Sequence, residues 1–236
     1  MTTNLRISLT ILSLGFAIEG GAELYSVLSR GTFHLGTNLL LLLPAVMTLA
    51  GLLFVWVGQH EWNELHRARV RQAHRVFALS LLGAVVAAAV LGVLLLRPSL
   101  GTPTWARVVF GGAIGSLLLG TFVTYALLVF HLVPRPSKAL LLAALLWALL
   151  VAGLVAAAIG SNLPAILGLA QRRSFTMPSF LDPVDSLASY LFVSYFLLLT
   201  AYVDAHRAIL GGPAGPGAAA PRVSPGTSGG PRAPAP

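Results

Sequence analysis

Six apolar stretches divide the chain, at Leu5–Leu28, Leu39–Gly58, Val76–Leu96, Val108–Val133, Ala139–Gly160 and Val184–Val203. Each is close to the ~20 residues that a helix rising ~1.5 Å per residue needs to cross the hydrocarbon of a bilayer. Hydrophobic residues make up 56% of the chain and charged residues 9%, where a soluble domain carries ~25% charged. A soluble fold of this length has too little interior for so much apolar surface. The expected fold class is all-α: a polytopic transmembrane bundle of six helices over residues 1–210, followed by a disordered tail over 211–236.

Helix punctuation agrees with this division. Asp182-Pro183-Val184-Asp185 reads as an N-cap, a first-turn proline and a second acid at the positive end of the last helix. Pro134 and Pro136 stop the fourth span, Ser137 is placed to cap the fifth, and Thr102-Pro103-Thr104 precedes the fourth. Pro44 falls inside the second span, where it removes a backbone donor. Tyr25, Phe33 and Trp105 mark one interface, and Trp56, Trp62 and Tyr202 the other. Trp147 falls mid-span, and its indole nitrogen needs a polar partner in the bundle or a shifted boundary. The connection after the fifth span, Ser161 to Pro183, begins with an apolar run too short to cross, read as a surface turn rather than an extension of the fifth helix. From Gly211 onward the Gly, Pro, Ala and Ser content offers nothing to offset the entropy of ordering. No internal repeat is evident.

The formal net charge of +8 would suggest nucleic acid in a soluble protein; here the basic residues sit in short connections beside apolar spans, where lipid headgroups are the simpler partner. With the N-terminus inside, Arg6, the four arginines of 59–75, Arg135, Lys138, Arg207, Arg222 and Arg232 face the cytoplasm, ten of the fifteen basic residues. That asymmetry predicts a plasma-membrane protein with both termini cytoplasmic. The rival reading of the first span is a cleaved signal peptide, with Gly20-Gly21-Ala22 near the cut; Glu19 and the length of the run oppose it. Cysteine is absent, so neither a disulfide framework nor a thiolate metal site is expected and the redox compartment stays open.

Chemistry concentrates at one place in the apolar blocks. In Ile18-Glu19-Gly20-Gly21-Ala22-Glu23 the two carboxylates lie four residues apart, on one face of the first helix. A carboxylate against hydrocarbon costs ~3 kcal/mol, so that face is expected to point into the bundle or toward water, as a cation or proton site. The alternative is that the span ends near Ile18 and both acids lie among headgroups. In the fourth span Gly112, Ser116, Gly120 and Thr124 recur every four residues, with Gly111 and Gly115 alongside. Such a stripe is a helix-packing seam, or, through Ser116, Thr121 and Thr124, the lining of a path.

The connector His60-Glu61-Trp62-Asn63-Glu64 approaches a zinc-protease pattern, but Glu64 stands where its second histidine belongs, so no metal site is expected. Arg67, Arg71 and Arg75 recur every four residues beside it, a basic stripe suited to anionic headgroups, and Glu64 is placed to pair with Arg67. His74, His131 and His206 gather on the same side; pH sensing or haem ligation would require them to face partners across helices, and plain interfacial histidines are the expectation. No phosphate loop, serine elbow, dinucleotide fingerprint or aromatic-basic nucleic-acid platform occurs.

Through its apolar blocks, the connector HEWNELHRARVRQAHR and the tail beginning GGPAGPGAAAP, the whole chain resembles uncharacterised multi-pass membrane proteins of archaea and some bacteria. The resemblance is one of composition, and no residue role follows from it. The function expected from the residues is that of a non-enzymatic membrane assembly or accessory protein, without cofactor, in contact with lipids and with a second copy or a partner membrane subunit. The alternative is a small ion- or proton-coupled transporter or channel using Glu19 and Glu23.

Overall fold

The computed structural model describes residues 3–28, 35–61, 63–172 and 182–210. Phe33, Trp62 and the tail from Gly211 lie outside them. Among the described residues the chain is helical throughout, with no strand: α1 (Thr3–Leu28), α2 (Leu35–Val57), α3 (Glu64–Leu96), α4 (Thr104–Val129), α5 (Arg135–Ser161), α6 (Leu163–Arg172), α7 (Asp182–Ser189) and α8 (Phe192–Leu210). Five segments, α1, α3, α4, α5 and the run Ser186–Leu210, are long and apolar enough to cross a membrane. The 23-residue α2 lies between two of them in the chain.

The helices run alternately up and down. α1 packs on α2 and α8, α8 on α5, α5 on α4 and α4 on α3, so that the bundle is a ring with its seam between α2 and α3. Thr3 and Arg6 share a hollow with His206, which puts the start of α1 and the end of α8 at one end of the bundle. Residues 58–61 and the α4–α5 turn lie at that same end, brought there by Asn4–Glu61 and Ser137–Asp204 contacts. At the opposite end Ser189 Oγ donates to Ser26 Oγ at 3.0 Å.

The interior is built from one face of each helix. Leu9, Leu12 and Phe16 of α1, Phe122 and Val129 of α4, Ala144 and Ala148 of α5 and Leu198 and Tyr202 of α8 are almost completely buried in a single cluster. Outward faces are equally apolar: Leu79 and Leu146 are each 69% exposed, and Val85 62%. Water makes such a belt costly, whereas acyl chains match it.

Small residues set the close approaches. α4 turns Gly111 and Gly115 toward α5, where an added Cβ at Gly111 would strike the Ala156 carbonyl, and one at Gly115 would come 2.8 Å from Ala156 Cβ. The other face of α4 meets α3: Gly120 abuts Ser80, and an added Cβ at Gly83 would stand 2.5 Å from the Ala113 carbonyl.

Several local expectations change. α5 starts at Arg135 behind Pro134 without a side-chain cap; Ser137 Oγ instead donates to Asp204 Oδ2 of α8 at 2.7 Å. The run after Asn162 is neither a surface turn nor a continuation of α5 but a separate helix, α6, whose Leu163 and Leu167 are buried with Leu94 and Ala106. The last span is two helices broken at Tyr190–Leu191. The carbonyl freed at that break, Tyr190 O, accepts the Trp147 Nε1–H bond at 2.7 Å, which is the polar partner a mid-span indole needs.

Glu61 does structural work that spacing did not disclose. Its carboxylate accepts from Asn4 Nδ2 at 2.6 Å and from the Leu5 backbone N–H at 3.1 Å, so the α2–α3 turn caps the first turn of α1. Glu61→Ala is expected to lower stability by about 1 kcal/mol, the usual cost of a lost N-terminal cap. Amide exchange in detergent should speed up selectively at the start of α1; unchanged protection there would contradict the assignment.

Candidate functional site

The site is assembled at the middle of the bundle, where five helices line one cavity of 320 Å³ and four of them offer it polar groups. Glu19 and Phe16 come from α1, Thr48 and Leu49 from α2, Phe77 from α3, Thr121 and Tyr125 from α4, and Tyr195 from α8. α1 continues unbroken past Ile18 to Leu28. At ~1.5 Å per residue Glu19 therefore lies roughly 24 Å from one end of its helix and roughly 14 Å from the other.

Tyr195 is half-buried against the core, and its hydroxyl donates to the Glu19 carboxylate. Glu23, one turn along, is close enough for its charge to act on Glu19. Thr48 is bonded to the Tyr125 hydroxyl, which joins α2 to α4 across the cavity. Gly20 gives the α1–α8 contact its closeness: a Cβ there would meet Tyr195 Cβ at 3.2 Å.

Aromatic packing fixes these hydroxyls. Phe16 meets Tyr125 edge-on at 4.9 Å and Tyr202 at 5.0 Å, and Phe122 lies 5.1 Å from Tyr195. Tyr202 OH donates to the Tyr125 carbonyl at 2.9 Å. Rings locked this way hold Tyr195 and Tyr125 in place.

An apolar crevice of 260 Å³ between α2 and α3 adjoins the cavity and shares Leu49 and Phe77 with it. Leu52, Leu53, Trp56, His74 and Thr124 line the rest. The Trp56 and His74 rings meet edge-on at 4.8 Å. His74 Nδ1 bonds the Val70 carbonyl at 2.8 Å.

The small-residue stripe divides between functions. Gly120 and Thr124 face α3, and the Thr124 hydroxyl donates to the Gly120 carbonyl at 2.8 Å while reaching Ala73 O at 3.5 Å. Ser116 donates to Ala113 O and, with Gly112, lines an outer hollow of 290 Å³ between α3 and α4. Among the described residues nothing lies within 4 Å of a Cβ built at Gly112. Thr121, a path candidate by sequence, lines the Glu19 cavity; Ser116 and Thr124 open on other spaces.

At the end of the bundle that carries the chain's start, Arg71 and Arg75 are exposed on α3, and Arg67 pairs with Glu64 at 3.6 Å. Asn63 caps this helix, its side chain accepting from His66 N at 2.8 Å. Among the described residues no three His, Asp or Glu side chains converge on a point that would hold a metal.

His131 does face a partner across elements, and it is His66. The rings are joined through His66 Nδ1 and His131 Nε2 at 2.8 Å, with His66 1% exposed. One nitrogen of such a bond donates and the other accepts. The outer nitrogens, His66 Nε2 and His131 Nδ1, are buried without a hydrogen-bond partner. His131 stands in the α4–α5 turn, beyond the end of the α4 span. Burial first, then His66 and the Arg69 and Lys138 charges, push His131 down to about 3 from 6.5.

An unfolded histidine takes a proton near pH ~6.5, and this one resists it until far lower, so protons favour the unfolded chain. The stability contributed by neutral His131 is complete above pH 6.5 and is lost as pH falls toward about 3. Melting in detergent should therefore weaken as pH falls from about 6.5 to about 5.5, a window in which ordinary carboxylates stay ionised. His131→Gln should flatten that slope; the same slope in the variant would contradict the account.

Comparison with protein-family models, with curated proteins and with solved structures finds no match.

Proposed function

We propose that this chain is a six-span protein of the plasma membrane that takes up a cation or proton at Glu19, as a small ion- or proton-coupled transporter. The observation that carries the reading is the cavity in which Glu19 meets Tyr195, Thr48, Thr121 and Tyr125 midway along the bundle. A carboxylate held midway along an apolar bundle is stable when it holds a proton, pairs with a cation or is well hydrogen-bonded. The ring of hydroxyls supplies ligands that hold either ion without adding a competing positive charge. Exchange of proton for cation at one acid is sufficient to couple their movements.

The six crossings are supported by parity. α1 begins and α8 ends at the same end of the bundle, which requires an even number of passes, so α2 counts as the span that completes the five. Because α1 supplies Leu9, Leu12 and Phe16 to the core, the reading retains it in the mature protein. Arg6, Arg135, Lys138, Arg207 and the arginines at the start of α3 share the end assigned to the cytoplasm. α3 has 33 residues, roughly 50 Å against the ~30 Å of hydrocarbon, so its basic turns project into the headgroups.

The test is flux in proteoliposomes across a pH gradient, comparing the native chain with the Glu19→Gln, Glu23→Gln double variant. Loss of flux in a correctly inserted double variant is expected; equal flux removes the proposal. Assembly with another membrane chain is the second reading, favoured by the open hollow at Gly112. Gly112→Leu has room in the monomer, so a change in oligomeric size caused by it would favour that reading.

A further inference from the structure

We propose that the Glu19 cavity and the α2–α3 crevice form one binding site for an amphipathic organic cation, an alkylammonium whose charged head lies against Glu19 and whose hydrocarbon lies between α2 and α3. The proposal rests on the reading of Glu19 as a cation or proton site and names its substrate class.

Three features converge on that chemistry. The spaces of 320 Å³ and 260 Å³ adjoin and share Leu49 and Phe77 as lining residues, so a molecule that spans both passes between those two side chains; ligand sites of ~300–1,000 Å³ are typical for small molecules. The cavity is acidic and aromatic at one end: Glu19 is set among Phe16, Phe77, Tyr125 and Tyr195. Aromatic faces attract an ammonium more readily than they attract a hydrated metal ion. The far end is apolar, with Leu52, Leu53 and Trp56.

Charge complementarity selects a cation over an anion or a neutral lipid. Among the described lining residues of the two spaces there is no lysine or arginine. The groups that face Glu19 are Glu23 on its own helix, Tyr195 on α8 and Tyr125 on α4; α2 and α3 contribute Thr48 and Phe77, with His74 at the far end of the crevice. A cationic head therefore pairs with Glu19, with the Glu23 charge one turn along adding to the attraction, and a proton competes for the same oxygens. Entry is sideways: Leu49 and Leu53 are 60% and 62% exposed at the α2–α3 seam, on the face that meets acyl chains. A molecule already partitioned into the bilayer reaches the acid from there.

The experiment uses the full chain in lipid nanodiscs, with tetramethylammonium and decyltrimethylammonium as probes, followed by titration calorimetry. Each buried methylene tightens binding by about fourfold at most, so the decyl compound is expected to bind at least about tenfold tighter than tetramethylammonium even with part of the chain in the crevice. Glu19→Gln should remove this saturable binding and Glu19→Asp should restore part of it, which separates loss of the charge from loss of the fold. Leu49→Trp, filling the junction, should narrow the gap between the two probes. Lowering pH should weaken the binding, as protons compete with the ammonium for the same carboxylate. Decyltrimethylammonium uptake that is the same in native and Glu19→Gln nanodiscs is lipid partition and overturns the proposal. Glu19-dependent proton or sodium flux without such binding overturns the substrate class and leaves the Glu19 site standing; absence of both overturns the two together.

Discussion

Glu19→Gln, inserted and folded, is expected to reduce coupled flux by about a hundredfold, the equivalent of the ~3 kcal/mol that losing one partner of a buried charge pair costs. Glutamine keeps the shape of the side chain and its place between Phe16 and Tyr195, but it cannot carry the charge that attracts a cation or release a proton in exchange. Tyr195→Phe should act in the same direction and less strongly, about tenfold, because it removes one hydrogen bond to the acid while the ring remains against Phe122. Proteoliposome flux measures both. An ordering in which Tyr195→Phe abolishes flux and Glu19→Gln spares it would place the chemistry on the phenol instead.

Gly111→Leu should destabilise the bundle by about 3 kcal/mol or more, at the upper end of what overpacking costs. The obstacle is the Ala156 carbonyl, part of the α5 backbone, and α5 cannot withdraw without parting from α8 as well. Gly120→Leu meets Ser80 of α3 and should cost nearly as much. The neighbouring Gly112→Leu should be close to neutral, since a Cβ there enters open space among the described residues. Thermal melting in detergent tests all three. Equal losses at Gly111 and Gly112 would mean that the two faces of α4 are wrongly assigned.

The division into apolar helices was legible because hydrophobic length is a local property of the chain, and five segments of sufficient length and apolarity are present. Local punctuation was less secure. Ser137 has the residue type and position of a cap, yet Asp204, 67 residues on, is a stronger partner for its hydroxyl. Tyr190–Leu191 breaks a helix that its composition would continue, and the cost of the break is met by Trp147 from another span. Contacts of this kind are set by which helices become neighbours, and a single sequence does not encode neighbours by spacing.

The same limit explains the site. Glu19 stood out because an acid in an apolar run is costly wherever the run spans. Thr121 was noticed only as one hydroxyl in a stripe of small residues. Thr48, Tyr125 and Tyr195 were missed, although a hydroxyl-bearing side chain deep in an apolar helix is a signal of its own, because it too needs a partner. His66 was passed over for a similar reason: it was one of several histidines in a charged connector, and its partner His131 comes from a turn 65 residues away. The stripe at Gly112, Ser116, Gly120 and Thr124 spaced its members correctly along α4, but a four-residue step drifts around a helix of 3.6 residues per turn, so its ends face different surroundings.

Because the natural chain has no cysteine, a single introduced thiol reports on its own surroundings. Ion-coupled transport at Glu19 requires its cavity, inside an otherwise apolar bundle, to open to water during the cycle. Thr121→Cys, labelled in intact membranes with a small, positively charged, water-soluble methanethiosulfonate, measures it most directly, with Val85→Cys on the outward face as its counterpart. Rapid labelling is expected at Thr121, slowed by Glu19→Gln, with none at Val85; a Thr121 thiol as inert as that at Val85 would rule out transport through this cavity.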